Sequence, residues 1–356
     1  MAKFSYMGIY EVRCRPVVFA VLLVFAFLCQ ACKPSFEDVQ KTSPIYLKQL
    51  TNIPQEKGLQ VSKLQFFPKK KLLIAASKYK KGTRGVLRFF DYETEKVIRE
   101  YKGYVTDFRL AIGQQKVYAV SYKTLLKIDY RVQKVSKRPL KTPAFHLALS
   151  PDERLLAVSH SWAKHYINLY DSETLSLYAS LKKPSELSYP KKLYFSKRQN
   201  YLAVAASGYS FVWKLARPNV VSSFSHTYYS KGSTGTQKNS PALNAVLIDS
   251  KEQFLLTATA RNINTWQIAT KKKVQSWRSR GSSIKEVVFW DSQDYLLVAT
   301  RESIELWERS GSRLIYGKNA EKPIAQLAVH PAQKIIAVAY DDASISILQI
   351  TDSSQK

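Results

Sequence analysis

The feature that most constrains this chain is a unit of three short apolar runs, and its last copy is the clearest. That copy occupies Ile324 to Ile350. It reads Ile-Ala-Gln-Leu-Ala-Val-His-Pro, then Lys334-Ile-Ile-Ala-Val-Ala-Tyr340, a turn at Asp341-Asp342, and Ser344-Ile-Ser-Ile-Leu-Gln-Ile350. Its apolar residues alternate with a period of two, which is typical of β-strands and not of amphipathic helices. The unit therefore predicts three antiparallel strands joined by two turns.

The second run of this unit recurs along the whole chain. Its copies share an apolar core bounded by turn residues: Leu73-Ile-Ala-Ala76, Val117-Tyr-Ala-Val120, Leu155-Leu-Ala-Val158, Tyr201-Leu-Ala-Val204, Phe254-Leu-Leu-Thr257, Tyr295-Leu-Leu-Val298 and Ile335-Ile-Ala-Val338. They are spaced at roughly 40 residues, the period of four-stranded propeller blades. The sequence therefore predicts an all-β fold, a seven-bladed β-propeller of four-stranded antiparallel blades over residues 45–356.

A third run follows each second run and ends near an aromatic or aliphatic residue, as at Tyr170-Asp171 and Trp307-Glu308. The stretch from Ser150-Pro-Asp-Glu-Arg-Leu-Leu-Ala-Val158 to Ile167-Asn-Leu-Tyr-Asp171 carries the closest likeness to a known family. On these motifs the chain resembles the WD-repeat and related β-propeller families. The Gly-His pair that opens a typical WD repeat is missing from every unit, and only His146 lies near such a place. The resemblance implies a β-propeller architecture.

The last unit lacks a fourth strand. Earlier units supply one, for example Lys96-Val-Ile-Arg-Glu-Tyr101, whereas the last unit ends in the polar segment Thr351 to Lys356. An unpaired strand edge favours aggregation. The segment Ile45 to Ile53, before the first unit, has the length and alternation of a strand. We therefore predict that it pairs with the last unit and closes the ring.

The N-terminus is typical of an export signal. Basic residues precede an apolar run from Val17 to Leu28, which is shorter than the roughly 20 residues that span a bilayer. The run ends in Cys29-Gln-Ala-Cys32, which resembles a bacterial lipobox. We expect residues 1–31 to be a lipoprotein signal peptide, Cys32 to be the lipidated residue, and residues 32–44 to be a tether. An uncleaved signal anchor is the alternative.

The cysteine count and the charge agree with export. All three cysteines lie in this N-terminal segment, so cleavage before Cys32 leaves a single thiol and no intramolecular disulfide. Lys33 differs from the Asp that retains some lipoproteins at the inner membrane. We expect attachment to the bacterial outer membrane, with the inner membrane or cell surface left open. The formal charge of +28 is spread along the chain and indicates a cationic folded body.

Basic and aromatic residues are interleaved in the loops that should share one face of the propeller. The candidate binding face comprises Lys78, Tyr79, Lys80, Lys81, Arg84, Trp162, Lys164, His165, Tyr166, Tyr228, Tyr229 and Lys231. Flat rings for stacking and cations for steering suit an anionic or glycan-bearing ligand. Solvated loops whose lysines maintain solubility would give the same pattern.

The sequence shows no catalytic motif, and we predict neither catalytic residues nor a metal or cofactor. The five histidines lack metal-ligand spacing, and His160 is expected to be structural. The predicted function is a monomeric, non-enzymatic scaffold for a protein partner in the cell envelope. One alternative is an adhesin for polyanionic glycans; another is a propeller hydrolase or lactonase, which needs acids and histidines converging on the central channel. Nucleic acid is not an expected partner of an exported protein.

Overall fold

The computed structural model describes residues 39, 43 and 45–352, apart from residues 57, 69, 81–83, 133, 161–165, 182–183, 188–189, 218–220, 227, 233–234, 291–292 and 311–312. Between residues 45 and 352 the regular elements in the described part are all β-strands. Seven four-stranded antiparallel sheets form the blades of a β-propeller, and one additional two-stranded hairpin lies between two of them. The predicted fold class is confirmed.

The strands are numbered in chain order, and β1 (Ile45–Ile53) precedes the first complete blade. Blades 1 to 3 consist of β2 (Leu59–Phe66), β3 (Leu72–Tyr79), β4 (Gly85–Asp91) and β5 (Val97–Lys102); β6 (Asp107–Ala111), β7 (Lys116–Ser121), β8 (Thr124–Asp129) and β9 (Val135–Pro139); and β10 (Ala144–Leu149), β11 (Leu155–His160), β12 (Tyr166–Asp171) and β13 (Leu177–Ser180).

Blade 4 consists of β14 (Lys192–Phe195), β15 (Tyr201–Ala205), β16 (Tyr209–Lys214) and β17 (Val221–Ser225), and the hairpin β18 (Tyr228–Gly232) and β19 (Gly235–Asn239) follows it. Blades 5 and 6 consist of β20 (Ala245–Ile248), β21 (Phe254–Ala258), β22 (Asn262–Gln267) and β23 (Lys273–Arg278); and β24 (Ile284–Trp290), β25 (Tyr295–Thr300), β26 (Ser303–Glu308) and β27 (Arg313–Asn319). Blade 7 takes β28 (Ile324–Val329), β29 (Ile335–Tyr340) and β30 (Ile345–Asp352) from the end of the chain.

The fourth strand of blade 7 is β1. It runs antiparallel to β30, from Ile45 opposite Asp352 to Ile53 opposite Ile345, with one irregularity between Gln49 and Thr51. The buried side chain of Ile53 belongs to the same apolar cluster as Leu59 of blade 1 and Ile345 of blade 7. The predicted pairing of the two ends of the chain is therefore present, and blades 7 and 1 share a core.

The two faces of the disc differ in the connections they carry. The upper face carries the connections between blades and the turns between second and third strands; the lower face carries the other two turns of each blade. Ile45 pairs with Asp352 at the end of a third strand, and third strands end at the lower face. The chain therefore enters the disc at its lower face, and β1 runs upward.

Aspartates at the ends of third strands shape the lower turns of blades 1 to 3. Asp91 Oδ1 accepts hydrogen bonds from the backbone N–H groups of Glu93 and Thr94 at 3.0 Å. Asp129 and Asp171 accept equivalent bonds from residues two or three positions further on. These bonds compensate for the low glycine content, because Asp stabilises tight turns through its own backbone contacts.

The predicted signal peptide, Cys32 and most of the tether lie outside the described residues. A membrane-spanning helix, one both long and apolar enough, is not found among the residues that the structure describes.

Candidate functional site

Seven residues occupy equivalent positions around the central axis, one on the innermost strand of each blade. In each blade this residue pairs with a residue near the end of the second strand. In blade 1, for example, Lys63 pairs with Ala76, which lies three positions after the buried Leu73. We call this set the polar ring. Its members are Lys63, Asp107, His146, Lys192, Ala245, Glu286 and Gln326.

A second ring lies two residues further along each innermost strand and therefore nearer the lower face. Its members are Gln65, Arg109, Ala148, Tyr194, Leu247, Val288 and Ala328. Alternate residues, such as Leu64 and Phe108, are buried inside the blades, because successive side chains of a strand point to opposite faces. Residues of both rings line a cavity of about 250 Å³ on the axis. The ring residues that do not line it are Asp107, Gln326 and the two from blade 3, His146 and Ala148.

Two ion pairs hold most of the charge in the channel. Arg109 Nη1 lies 2.6 Å from Asp107 Oδ1, and the backbone N–H of Leu147 donates to Asp107 Oδ2 at 3.0 Å. Lys192 Nζ lies 2.8 Å from Glu286 Oε2. Burial opposes ionisation of both carboxyl groups, but the nearby cations outweigh it and lower the pKa of Asp107 and of Glu286. Both acids are therefore ionised partners of cations.

Lys63 and His146 respond to the same environment. Burial, together with repulsion from Arg109 and Lys192, lowers the pKa of Lys63 to about 8. Burial lowers the pKa of His146 to about 4, although Asp107 opposes the shift. At neutral pH the channel therefore contains three cations, two carboxylates and a neutral imidazole.

Acids and a histidine therefore do converge on the central channel, where the sequence pattern had not placed them. A signal was present: aligning the seven innermost strands puts a polar residue in the same column in every blade but the fifth, which has Ala245. No group of three or more His, Cys, Asp or Glu able to hold a metal ion occurs among the described residues. The channel can bind and orient a charged group through its cations.

No protein-family model matches this sequence, and no curated protein is significantly similar to it. The propeller architecture is therefore established by the seven four-stranded sheets of the structure. The likeness to WD repeats is accordingly a resemblance in blade pattern.

The part of the predicted binding face that belongs to blade 1 lies on the upper face. Lys80 and Arg84 are exposed in the turn after β3, and Lys78 and Tyr79 are half-buried at the end of that strand. Tyr79 donates its hydroxyl to Glu56 at 2.7 Å, and this bond lowers the pKa of the Glu56 carboxyl. Tyr79, Arg84 and Glu56 line a groove of about 560 Å³ beside blade 1.

The remaining predicted residues are not brought together within the described structure. Tyr166 is half-buried, and its hydroxyl lies 2.8 Å from Thr142 Oγ1, so this hydroxyl is engaged in a hydrogen bond within the protein. Lys81, Trp162, Lys164 and His165 lie outside the described residues, as do the side chains of Tyr228, Tyr229 and Lys231. The long insertion that carries the last three forms the β18–β19 hairpin. His160 is buried and lies 3.0 Å from Thr142 Oγ1, which agrees with a structural role.

A basic groove between blades 5 and 6 had no counterpart in the sequence analysis. Arg261, Arg278 and Arg280 line it together with Trp277 and Trp307, and its volume is about 700 Å³. Beneath it the fully buried Glu305 accepts hydrogen bonds from Gly281 N and Trp307 Nε1, both at 2.7 Å. The arginines come from two segments separated in sequence, so no local motif reveals the groove.

Proposed function

We propose that this protein is a non-enzymatic binding and assembly scaffold of the cell envelope, a lipid-anchored propeller that presents its upper face to a protein partner. The observation that carries the proposal is the direction of β1. Because Ile45 lies at the lower face, the proposed tether would join the disc at that side. The upper face, with its two grooves, then points away from the anchor.

The tether sets how far the disc can stand from the membrane. Residues 33–44 separate Cys32 from β1, and an extended chain gains at most about 3.5 Å per residue, which gives roughly 40 Å. A propeller held this closely is oriented by its own surface as well as by its anchor. A partner reaching the upper face need not compete with the membrane.

The grooves indicate how a partner would bind. Each is lined by an arginine and an aromatic residue. These are Arg84 and Tyr79 beside blade 1, and Arg261 and Trp277 between blades 5 and 6. Arginine and aromatic residues dominate the energetics of protein interfaces. An acidic loop or strand of a partner would therefore be complementary, with β-augmentation or loop insertion as the mode of contact.

Crosslinking and pull-down from intact envelope tests the proposal. The parent is compared with charge reversal to Glu at Lys78, Lys80, Lys81 and Arg84, and with Cys32→Ser. The matched control reverses Lys271 and Lys272, which lie in the lower turn after β22. A partner that is lost on upper-face reversal and retained in the control supports the scaffold. A partner retained in both, or no partner in any sample, refutes upper-face recognition.

Binding of polyanionic glycans is the second candidate, because three arginines line the groove between blades 5 and 6. Such binding should weaken steeply as salt rises through 0.1 M, where the Debye length is about 10 Å. A sulfated glycan column run at rising salt separates this function from protein recognition. We propose no catalytic role, because Asp107 and Glu286 are both engaged by cations.

A further inference from the structure

One cation of the polar ring, Lys63, lacks an ion pair within the part of the chain that the structure describes. Arg109 and Lys192 are paired with Asp107 and Glu286. Lys63 makes no direct contact of this kind with the described residues, although Glu286 and Asp107 lie close enough to raise its pKa. At the neighbouring ring position in blade 7, Gln326 Oε1 is also buried without a hydrogen-bond partner. Two polar groups in adjacent blades are thus left unsatisfied on one side of the channel.

Lys63 is half-buried, and an ammonium group without a direct ion-pair partner is costly where burial removes water. Asp107 and Glu286 offset this cost only in part, because the pKa of Lys63 stays lowered. Below pH 8 the side chain of Lys63 is nevertheless protonated, since its pKa is lowered only to about 8. His146 is neutral there. The charges of Lys63, Arg109 and Lys192 against those of Asp107 and Glu286 leave one positive charge, which a single anion would neutralise.

The walls below the polar ring restrict the kind of anion. Leu247, Val288 and Ala328 make one side of the second ring apolar, and Tyr194 adds an aromatic side chain. Gln65 and Arg109 make the opposite side, at blades 1 and 2, polar. The cavity of about 250 Å³ is smaller than the 300–1,000 Å³ that is typical of pockets for drug-sized ligands. A charged head near Lys63 with a short apolar tail among these residues fits better than an inorganic anion or a peptide segment.

We propose that the axial channel binds a short-chain monocarboxylate, whose carboxylate group pairs with Lys63 and whose tail lies against Leu247 and Val288. This site is independent of the upper-face grooves, so either can fail without the other. The ligand would fill the centre of the disc and supply the counter-charge that the polar ring lacks.

Isothermal titration calorimetry with butyrate tests the site. Butyrate is compared with sodium chloride and phosphate at equal ionic strength and pH 7. The parent should bind butyrate, and Lys63→Met should weaken binding by about tenfold or more, the change expected for losing roughly 1.4 kcal/mol. Lys78→Met, a lysine at the end of β3 outside the channel, should bind as the parent does. Circular dichroism establishes that each variant is folded.

A second variant should raise the affinity for butyrate. Glu286→Gln removes a carboxylate and frees Lys192, so butyrate should bind more tightly. For the parent, affinity should fall as pH rises from 7 to 9, because Lys63 loses its proton. Absence of butyrate binding by the parent, equal binding of chloride and butyrate, or unchanged affinity in both Lys63→Met and Glu286→Gln would overturn the proposal.

Discussion

Lys192 and Glu286 form an ion pair of 2.8 Å although they belong to blades 4 and 6. The equivalent position in the intervening blade is Ala245. Because its methyl group leaves the channel open, the long lysine side chain reaches past blade 5 to the carboxylate. The pair therefore couples two blades that are not neighbours, and it depends on a small residue between them.

Breaking this pair should destabilise the protein, and removing both partners should cost less than the sum. The side chains of Lys192 and Glu286 are 25% and 11% exposed, so solvent screens the interaction in part. We expect about 1–3 kcal/mol for Lys192→Met or Glu286→Leu alone. Urea unfolding of the parent, both single variants and the double variant measures the coupling. Strictly additive losses would show that the pair contributes nothing.

The β1 strand should be required for cooperative folding. Ile53 is 1% exposed and Leu50 is 44% exposed on the same strand. Ile53→Ala should cost about 2–4 kcal/mol, as for other buried aliphatic truncations, whereas Leu50→Ala should cost less than about 0.5 kcal/mol. Deletion of Ile45 to Ile53 should broaden the thermal transition. A truncated protein that melts as sharply as the parent would refute closure by this strand.

Stability should decrease as the pH falls below 6.5. Burial lowers the pKa of His146, His160 and His226 to about 4. Between pH 6.5 and 4 the unfolded chain binds these protons while the folded chain does not, so the free energy of unfolding falls. Each buried histidine should contribute up to about 1 kcal/mol between pH 6.5 and 5.5, a window above the titration of most carboxylates.

Chemical denaturation at pH 7.5, 6.5 and 5.5 measures this dependence. His160→Gln should reduce the slope of the free energy of unfolding against pH by roughly a quarter to a third. It removes one of these three groups, and burial lowers the pKa of His330 as well. Tyr166→Phe is a suitable control: it removes a neighbouring hydroxyl without removing a titrating imidazole. An unchanged slope in His160→Gln would contradict burial as the source of the effect.

The connection between blades 5 and 6 should tolerate little change. A Cβ on Gly281 would collide with the hydroxyl oxygens of Thr300 and Ser303, and its N–H is a donor to Glu305. Gly281→Ala and Glu305→Gln should each lower the free energy of unfolding by about 2–4 kcal/mol. Denaturant unfolding is measured by tryptophan fluorescence, to which Trp307 contributes. Ser282→Ala, one residue on and half-buried, is the control. Equal stability of all three variants would argue against this network.

Much of the fold could be predicted from sequence because it is encoded locally. Period-two alternation specifies strands, and the repeated second strand, as at Leu155 to Val158, specifies blade number. A leftover strand at Ile45 and a missing strand after Ile350 predicted the pairing that β1 makes. Asp152 and Asp342 also lie in turns, where each accepts a hydrogen bond from a nearby backbone N–H group.

The sequence by itself therefore determined the strand pattern, the number of blades and the strand that completes the last one. Only the tertiary structure decided which polar side chains meet on the axis. Lys63, Asp107 and Glu286 come from blades 1, 2 and 6, and each local run shows merely a polar residue in an apolar strand. Their meeting follows from ring closure, because a circle of blades brings every innermost strand to one axis whatever its distance along the sequence.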